Sequence, residues 1–280
     1  MSSALVFLLV LFAALCHATW SAIVKKSNNG LAMMAITSVV EIIVFLPLIF
    51  TVPFPSTTLW IFIAATTIIH GFYRYSVIVS YKFGDLSFVY PIARGGSCLI
   101  IAIVSLFIIK ENITALGIVG ISITSIGLFI IAFSSAQKFN SKAFFIAITT
   151  SILIAGYTIL DGIAVNLSAN AFTFIFWMLL LNGVPMLIYG IISKNGIRLT
   201  KSYRVLDGVV AGICAIISYG LVVWSFQFIK VAYVSSIREM SIVLAAVISL
   251  FILKEKEAMG RIIPSIIIVL GVTILYFEIT

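Results

Sequence analysis

Ten apolar runs of about twenty residues follow one another along this 280-residue chain, and no other feature limits its fold as strongly. Wound as an α-helix, a run of that length crosses the ~30 Å hydrocarbon core of a bilayer while satisfying its own backbone N–H and C=O groups. The runs fall at about 4–24, 31–52, 58–80, 86–109, 113–134, 143–165, 171–192, 205–229, 231–253 and 259–278. A barrel strand needs only ~10 residues of alternating pattern, and these runs are longer and do not alternate. The expected fold is therefore all-α and transmembrane, with no length left over for a soluble domain. Only 9% of the residues are charged, where a soluble surface needs roughly a quarter. The opening segment MSSALVFLLVLFAALCHATW reads as the first span rather than a signal peptide. No basic residue precedes its apolar core, and Lys25 and Lys26 follow it instead.

A net charge of +8 would point to nucleic acid in a soluble protein. Here the basic residues sit mostly in short loops between spans, where they set orientation, and no nucleic-acid partner is expected. Connections after odd-numbered spans hold twelve of them: Lys25, Lys26, Lys82, Lys138, Lys142, Lys194, Arg198, Lys201, Arg204, Lys254, Lys256 and Arg261. Connections after even-numbered spans hold two, Lys110 and Lys230. Basic loops stay in the cytoplasm, so a multi-pass inner-membrane protein with both termini in the periplasm is expected. Cys16, Cys98 and Cys214 all lie inside apolar runs, without metal-ligand spacing or a disulfide pattern. No HExxH, GxSxG, P-loop or GxGxxG stands in a suitable context, so neither an enzyme nor a cofactor or metal site is expected.

The chain also repeats itself. Residues 105–111 read SLFIIKE and residues 249–255 read SLFILKE, an offset of 144. The same offset superposes Arg94 on Arg238, Ser97 on Ser241, Ala102 on Ala246, Tyr75 on Tyr219 and Gly127 on Gly271, and it sets Asp161 opposite His17. Residues 1–136 and 137–280 thus read as two five-helix halves. An odd number of spans per half means that the second half inserts upside down relative to the first. Inverted repeats of this kind are built around a site near the midplane where the halves meet.

A charge at the bilayer centre costs ~2.5–3.5 kcal/mol on insertion scales, so each one needs a reason. The spans hold Glu41, Arg74, Arg94, Asp161, Arg238 and Glu239, with His17 and His70. Three acids balance three bases, which predicts ion pairs or a wet cavity. Tyr90 and Arg94 share a helix face, and Pro91 with Gly95-Gly96 predicts a kink or opened turn that presents Arg94 to the interior. Arg238 and Glu239, adjacent in sequence, point ~100° apart and need not pair with each other. His17 and Trp20 lie on one stripe of span 1, and Tyr157 and Asp161 on one face of span 6. As repeat mates, His17 and Asp161 form either a proton-sensitive or substrate-binding couple, or two polar groups merely bridging helices. Asp161, Glu239 and Glu41 are the candidates for proton coupling. Tyr73, Tyr75, Tyr90, Trp177, Tyr219 and Trp224 could line an aromatic cage, whereas Trp60 reads as an interface residue. The candidate substrate-binding set is Arg94, Arg238, Glu239, Asp161, His17, Trp20, Tyr75, Tyr90, Tyr157 and Tyr219.

The two halves, each with a Lys-Glu pair between its last two helices, resemble the EamA-like branch of the drug/metabolite transporter superfamily. Four segments in order carry the closer likeness to a bacterial subgroup: HATW at 17–20, GDLSFVYPIARG at 84–95, IAGYTILDG at 154–162 and SSIREMS at 235–241. The resemblance covers the whole chain. It implies a central cavity lined by spans 1, 3, 4, 6, 8 and 9, alternating access, and substrates such as amino acids, nucleotide sugars, sugar phosphates or amphipathic drugs. Many members of that family keep both termini in the cytoplasm, opposite to the orientation that twelve basic residues against two predict here.

The expected function is secondary transport of a small polar metabolite, an amino acid or related zwitterion or anion. Two arginines could bind its carboxylate or phosphate through paired hydrogen bonds. The alternatives are an exporter of cationic or amphipathic drugs, a flippase for lipid-linked sugars, or a membrane scaffold that transports nothing. A scaffold has no need of equivalent arginines in both halves.

Overall fold

The computed structural model describes residues 1–27, 30–80, 83, 86–134, 139–192, 205–251 and 260–280, and among them regular structure is entirely helical. The helices are α1 Ser3–Lys26, α2 Gly30–Leu48, α3 Thr57–Ser80, α4 Leu86–Val104, α5 Ala115–Phe133, α6 Ser141–Leu167, α7 Ala171–Ile192, α8 Val205–Ser225, α9 Val231–Ile237, α10 Met240–Phe251 and α11 Ile262–Ile279. A 3₁₀ turn, Ile49–Thr51, prolongs α2, and a π turn, Ser105–Ile109, prolongs α4. Lys110 ends that π turn in the left-handed region, at φ 62°. Most of the basic loop residues (Lys82, Lys138, Lys194, Arg198, Lys201, Arg204, Lys254 and Lys256) lie outside the described residues, as does Glu255 of the second Lys-Glu pair.

Eight segments are long and apolar enough to cross a membrane, with α9 and α10 together counting as one. The apolar stretch of α7 is shorter, Ala171–Pro185. Helix α3 has 24 residues, about 36 Å at 1.5 Å per residue, but His70 and Arg74 dilute its apolarity. Burial is arranged as a bilayer requires. Leu8, Ile43, Phe72, Phe107 and Phe277 are exposed on the outside, while Glu41, Arg94, Asp161, Arg238 and Glu239 are buried.

The ninth span departs from regularity where its charges sit. Glu239, Ser241 and Ile242 donate to carbonyls three residues back, so the helix tightens between α9 and α10. Short 3₁₀ stretches inside a helix often mark a hinge. The opened turn that the sequence placed in the fourth span is not there, since α4 runs unbroken from Leu86 to Val104 through Pro91. Pro91 lies near the helix start, and the carbonyl it leaves without a partner is that of Ser87, in the first turn. The repeat mates Arg94 and Arg238 therefore sit in different backbone settings.

Helix α9 is the centre of the bundle. Residues 231–239 are all buried, so Arg238 and Glu239 can diverge and still both meet protein. The packing pairs include α1 with α8, α3 with α6, α4 with α6, α1 with α10, α2 with α7 and α5 with α11. Exchanging the first five spans for the second five maps α1/α8 onto α3/α6 and α4/α6 onto α1/α10. The α2/α7 and α5/α11 pairs map onto themselves. That pattern is consistent with two like halves.

Candidate functional site

The site grows from three helices that meet the tightened turn. On α4, Arg94 projects one turn beyond Tyr90, its guanidinium carbon 5.9 Å from the tyrosine ring centre. Arg94 Nε donates to Glu239 Oε2 at 2.9 Å, and Nη2 stands 2.7 Å from Oε1, a two-point ion pair across the halves. Both residues are buried. On α1, His17 Nε2 shares a 3.1 Å hydrogen bond with the Tyr90 hydroxyl, and the His17 ring lies 5.3 Å from Trp20. His17, Trp20, Tyr90, Arg94 and Glu239 are thus one chain of contacts.

A second group forms where α3, α6 and α8 meet. Asp161 is fully buried, and both its oxygens are occupied: Thr66 Oγ1 donates to Oδ1 at 2.5 Å, and the Tyr219 hydroxyl donates to Oδ2. His70 Nε2 stands 3.5 Å from the same Oδ2 without completing a hydrogen bond. The His70 ring stacks on Tyr157 at 3.9 Å, with Tyr73 5.4 Å beyond. Arg238 joins the two groups. Its guanidinium carbon lies 5.4 Å from the Tyr219 ring centre and the group faces the Tyr157 hydroxyl.

Charge is balanced unevenly. Arg94 is matched by Glu239, and Arg74 by Glu41 at 3.2 Å, with Ser38 as a further acceptor. Arg238 has no carboxylate at ion-pair distance among the described residues, and its buried Nε finds no hydrogen-bond partner there. Trp20 Nε1 is likewise buried and unpartnered among them. Asp161 receives neutral hydroxyls rather than a guanidinium or ammonium. Arg238, without an ion-pair partner among the described residues, and Asp161, with His70 as its nearby basic group, therefore stand on either side of Tyr219.

The candidate residues scatter differently from their symmetry. His17 and Asp161, repeat mates, fall in separate groups with separate partners. Tyr219 binds Asp161, while its mate Tyr75 is 53% exposed on the outer surface. Glu41 lies away from the centre, on Arg74. Trp177 packs 4.9 Å from Trp60, beside Phe54 at a helix end, and Trp224 packs on Phe228. The cage that forms is tyrosine and histidine: Tyr73, Tyr157, Tyr219 and His70. Sequence reasoning passed over His70 and Thr66 as site residues. Their spacing of four on α3, with Tyr73 three further on, was a readable helical stripe.

A small cavity of about 10 Å³ adjoins Tyr73 and Tyr90, lined also by Val77, Ser80, Val89, Ala93, Thr150 and Ile154. One face of the bundle is clasped. Glu111 Oε1 accepts the Val231 N–H at 2.9 Å, Lys230 Nζ donates to the Asn112 carbonyl, and Asn166 Nδ2 donates to the Phe226 carbonyl at 3.1 Å. The first Lys-Glu pair thus supplies, through Glu111, an acceptor for an otherwise orphaned N–H at the start of α9.

The sequence profile of the EamA-like transporter family matches residues 141–277, which run from α6 almost to the end of α11. No curated protein matches the chain. A solved structure described only as "Crystal structure of protein" is similar over 100% of this chain and 98% of its own, with a TM-score of 0.78 at 14% identity. At that identity the likeness speaks for the fold alone. Helices that place their charges inside and their apolar side chains outside make this chain a multi-pass membrane protein, and its residues 141–277 match the EamA-like transporter family.

Proposed function

We propose that the protein is a secondary transporter for a small zwitterionic or anionic metabolite, amino acids and their derivatives first, working by alternating access in the inner membrane. The observation that carries this reading is Arg238, a buried guanidinium without a carboxylate partner among the described residues, set across Tyr219 from Asp161. A substrate carboxylate would pair with Arg238 and a substrate amine with Asp161. Burying both would then leave no net uncompensated charge. Residues 1–136 and 137–280 would be the halves that rock about this site, with the hydrogen bonds of Glu111, Lys230 and Asn166 holding one face closed. The tyrosines around Asp161 favour a second reading, a cationic aromatic substrate held by cation–π contacts.

The test is a thermal-shift screen of purified protein against carboxylates, zwitterions and organic cations, since a ligand that binds only the folded state stabilises it. Carboxylates or zwitterions should raise the melting temperature. In Arg238→Lys their affinity should fall about 10–100-fold, the ~1.5–3 kcal/mol worth of hydrogen bonds to a charged group, because an ammonium lacks the planar fork. If organic cations alone stabilise, and Arg238→Lys leaves them unaffected, the second reading replaces the first.

Orientation follows from the loop charges. A reporter active only in the cytoplasm should be silent when fused after Thr280 and active when inserted near Asn195. The opposite pattern would place both termini in the cytoplasm.

A further inference from the structure

We propose that His70 is a proton-binding group of this site, and that a proton on His70 competes with a substrate amine for Asp161. Substrate binding and proton binding then exclude each other, as a proton-coupled exchanger requires. The inference rests on the reading that a positively charged amine occupies Asp161.

The geometry around Asp161 sets up the competition. Thr66 and Tyr219 satisfy its oxygens as hydrogen-bond acceptors but bring no charge. Among the described residues, His70 is the one side chain within 4 Å of the carboxylate that can become a cation. Its Nε2 is buried, unbonded and 3.5 Å from Oδ2. A proton placed on that nitrogen, with Nδ1 also protonated, turns a loose approach into a charge-assisted hydrogen bond. A neutral ring leaves the Asp161 charge for another cation. Two cations on one carboxylate, out of water, would repel each other strongly, so only one is held at a time.

The surroundings of His70 can be named from every side. Helix α6 presents Asp161 and Tyr157, and α8 presents Tyr219. The turn between α9 and α10 presents Arg238. On α3 itself stand Tyr73 and Arg74, the latter held by Glu41 of α2. Helix α7 contains no Asp, Glu, Lys, Arg or His. Among the described residues, Asp161 is thus the one carboxylate that touches His70. The other histidine, His17, has the Tyr90 hydroxyl as its polar partner and, among the described residues, no carboxylate in contact. The titratable partner of Asp161 is therefore His70 rather than the repeat mate His17.

The chain has two histidines, which makes the test direct. Full-length protein with isotope-labelled histidine rings, held in lipid nanodiscs, gives two sets of imidazole signals, and His17→Asn assigns them. Between pH 8 and 5 the His70 ring should gain an imidazolium signal in wild type that Asp161→Asn abolishes. Benzylammonium should reduce that signal at least fivefold at a fixed acidic pH, whereas benzoate, matched in shape, should leave it in place. A His70 ring that stays neutral to pH 5, or gains the same signal in Asp161→Asn, overturns the proposal. So does an imidazolium that benzylammonium does not displace. Proton release measured with a pH indicator gives a second variant: wild type should release protons on adding benzylammonium, and His70→Gln none. Equal release from both overturns the assignment to His70. If the histidine results hold but no carboxylate stabilises the protein through Arg238, the anion half of the proposed function falls and the proton site stands.

Discussion

Glu239→Leu should destabilise the protein by about 3–5 kcal/mol, and Arg94→Met in the same chain should restore most of that loss. The reason is the two-point contact between Arg94 and Glu239, in which both partners are buried. Removing the carboxylate strands a guanidinium where neither water nor another anion can reach it, and the penalty is the desolvation of that charge. Removing both partners and filling the space with apolar side chains strands nothing. The measurement is unfolding of the four proteins of a double-mutant cycle in mixed micelles. A double variant as unstable as Glu239→Leu would mean that the two side chains act independently. The cycle also separates the two arginines in function. Arg94 is spent on Glu239, so Arg94→Met/Glu239→Leu should keep part of the carboxylate affinity that Arg238→Lys loses.

Gly271→Val should separate α5 from α11 and prevent the native seam from closing. A Cβ at Gly271 would lie 2.7 Å from the Gly120 carbonyl oxygen and 2.7 Å from the Thr124 nitrogen. Both are backbone atoms of α5, so no rotamer change relieves the overlap and the helices must move apart. Over-packing in a well-filled interior costs about 1–3 kcal/mol, and a β-branched side chain against backbone belongs at or above the top of that range. Small residues at this seam let the backbones approach, which is the main source of helix association where lipid is as apolar as the side chains. Gly220→Ala is the control. Its Cβ would meet Leu179 at 3.7 Å, ordinary contact, and alanine in a helix is favoured over glycine by ~1 kcal/mol. Thermal unfolding in detergent should show a loss for Gly271→Val and none for Gly220→Ala. Equal behaviour of the two would refute the close α5/α11 approach.

The spans were legible because a bilayer reads length and apolarity, both of which are local properties of a sequence. Helices α1 to α8 and α11 lie where the apolar runs placed them. The ninth run was right in extent but wrong in regularity, since nothing in SSIREMS marks a break as proline or glycine would. The fourth run, expected to hold a kink or an opened turn, shows no opened turn. Pro91 and the Gly95-Gly96 pair are strong local signals, yet α4 stays helical because the proline falls close to its start.

The residues of the site were mostly readable, and their partners were not. Buried charge is rare enough in an apolar chain that Arg94, Asp161, Arg238 and Glu239 single themselves out. Which charge answers which is another matter. Arg94 meets Glu239 across 145 residues rather than Arg238 meeting its neighbour. Asp161 meets Thr66 and Tyr219, from opposite halves of the chain. The repeat suggested that His17 and Asp161 would act together, but equivalence in sequence means equivalent places about an axis, not contact across it.

By itself, then, the sequence determined a polytopic all-helical membrane protein with its charges turned inward, because the cost of polar groups in hydrocarbon leaves few other solutions. Only the tertiary structure decided that Arg94 and Arg74 are paired with carboxylates, that Arg238 is left facing Tyr157 and Tyr219, and that His70 rather than His17 stands beside Asp161. Those choices depend on which helices touch. Helix contacts in a membrane are set by shape and by sparse polar pairings between distant segments, and neither leaves a periodic mark in the chain.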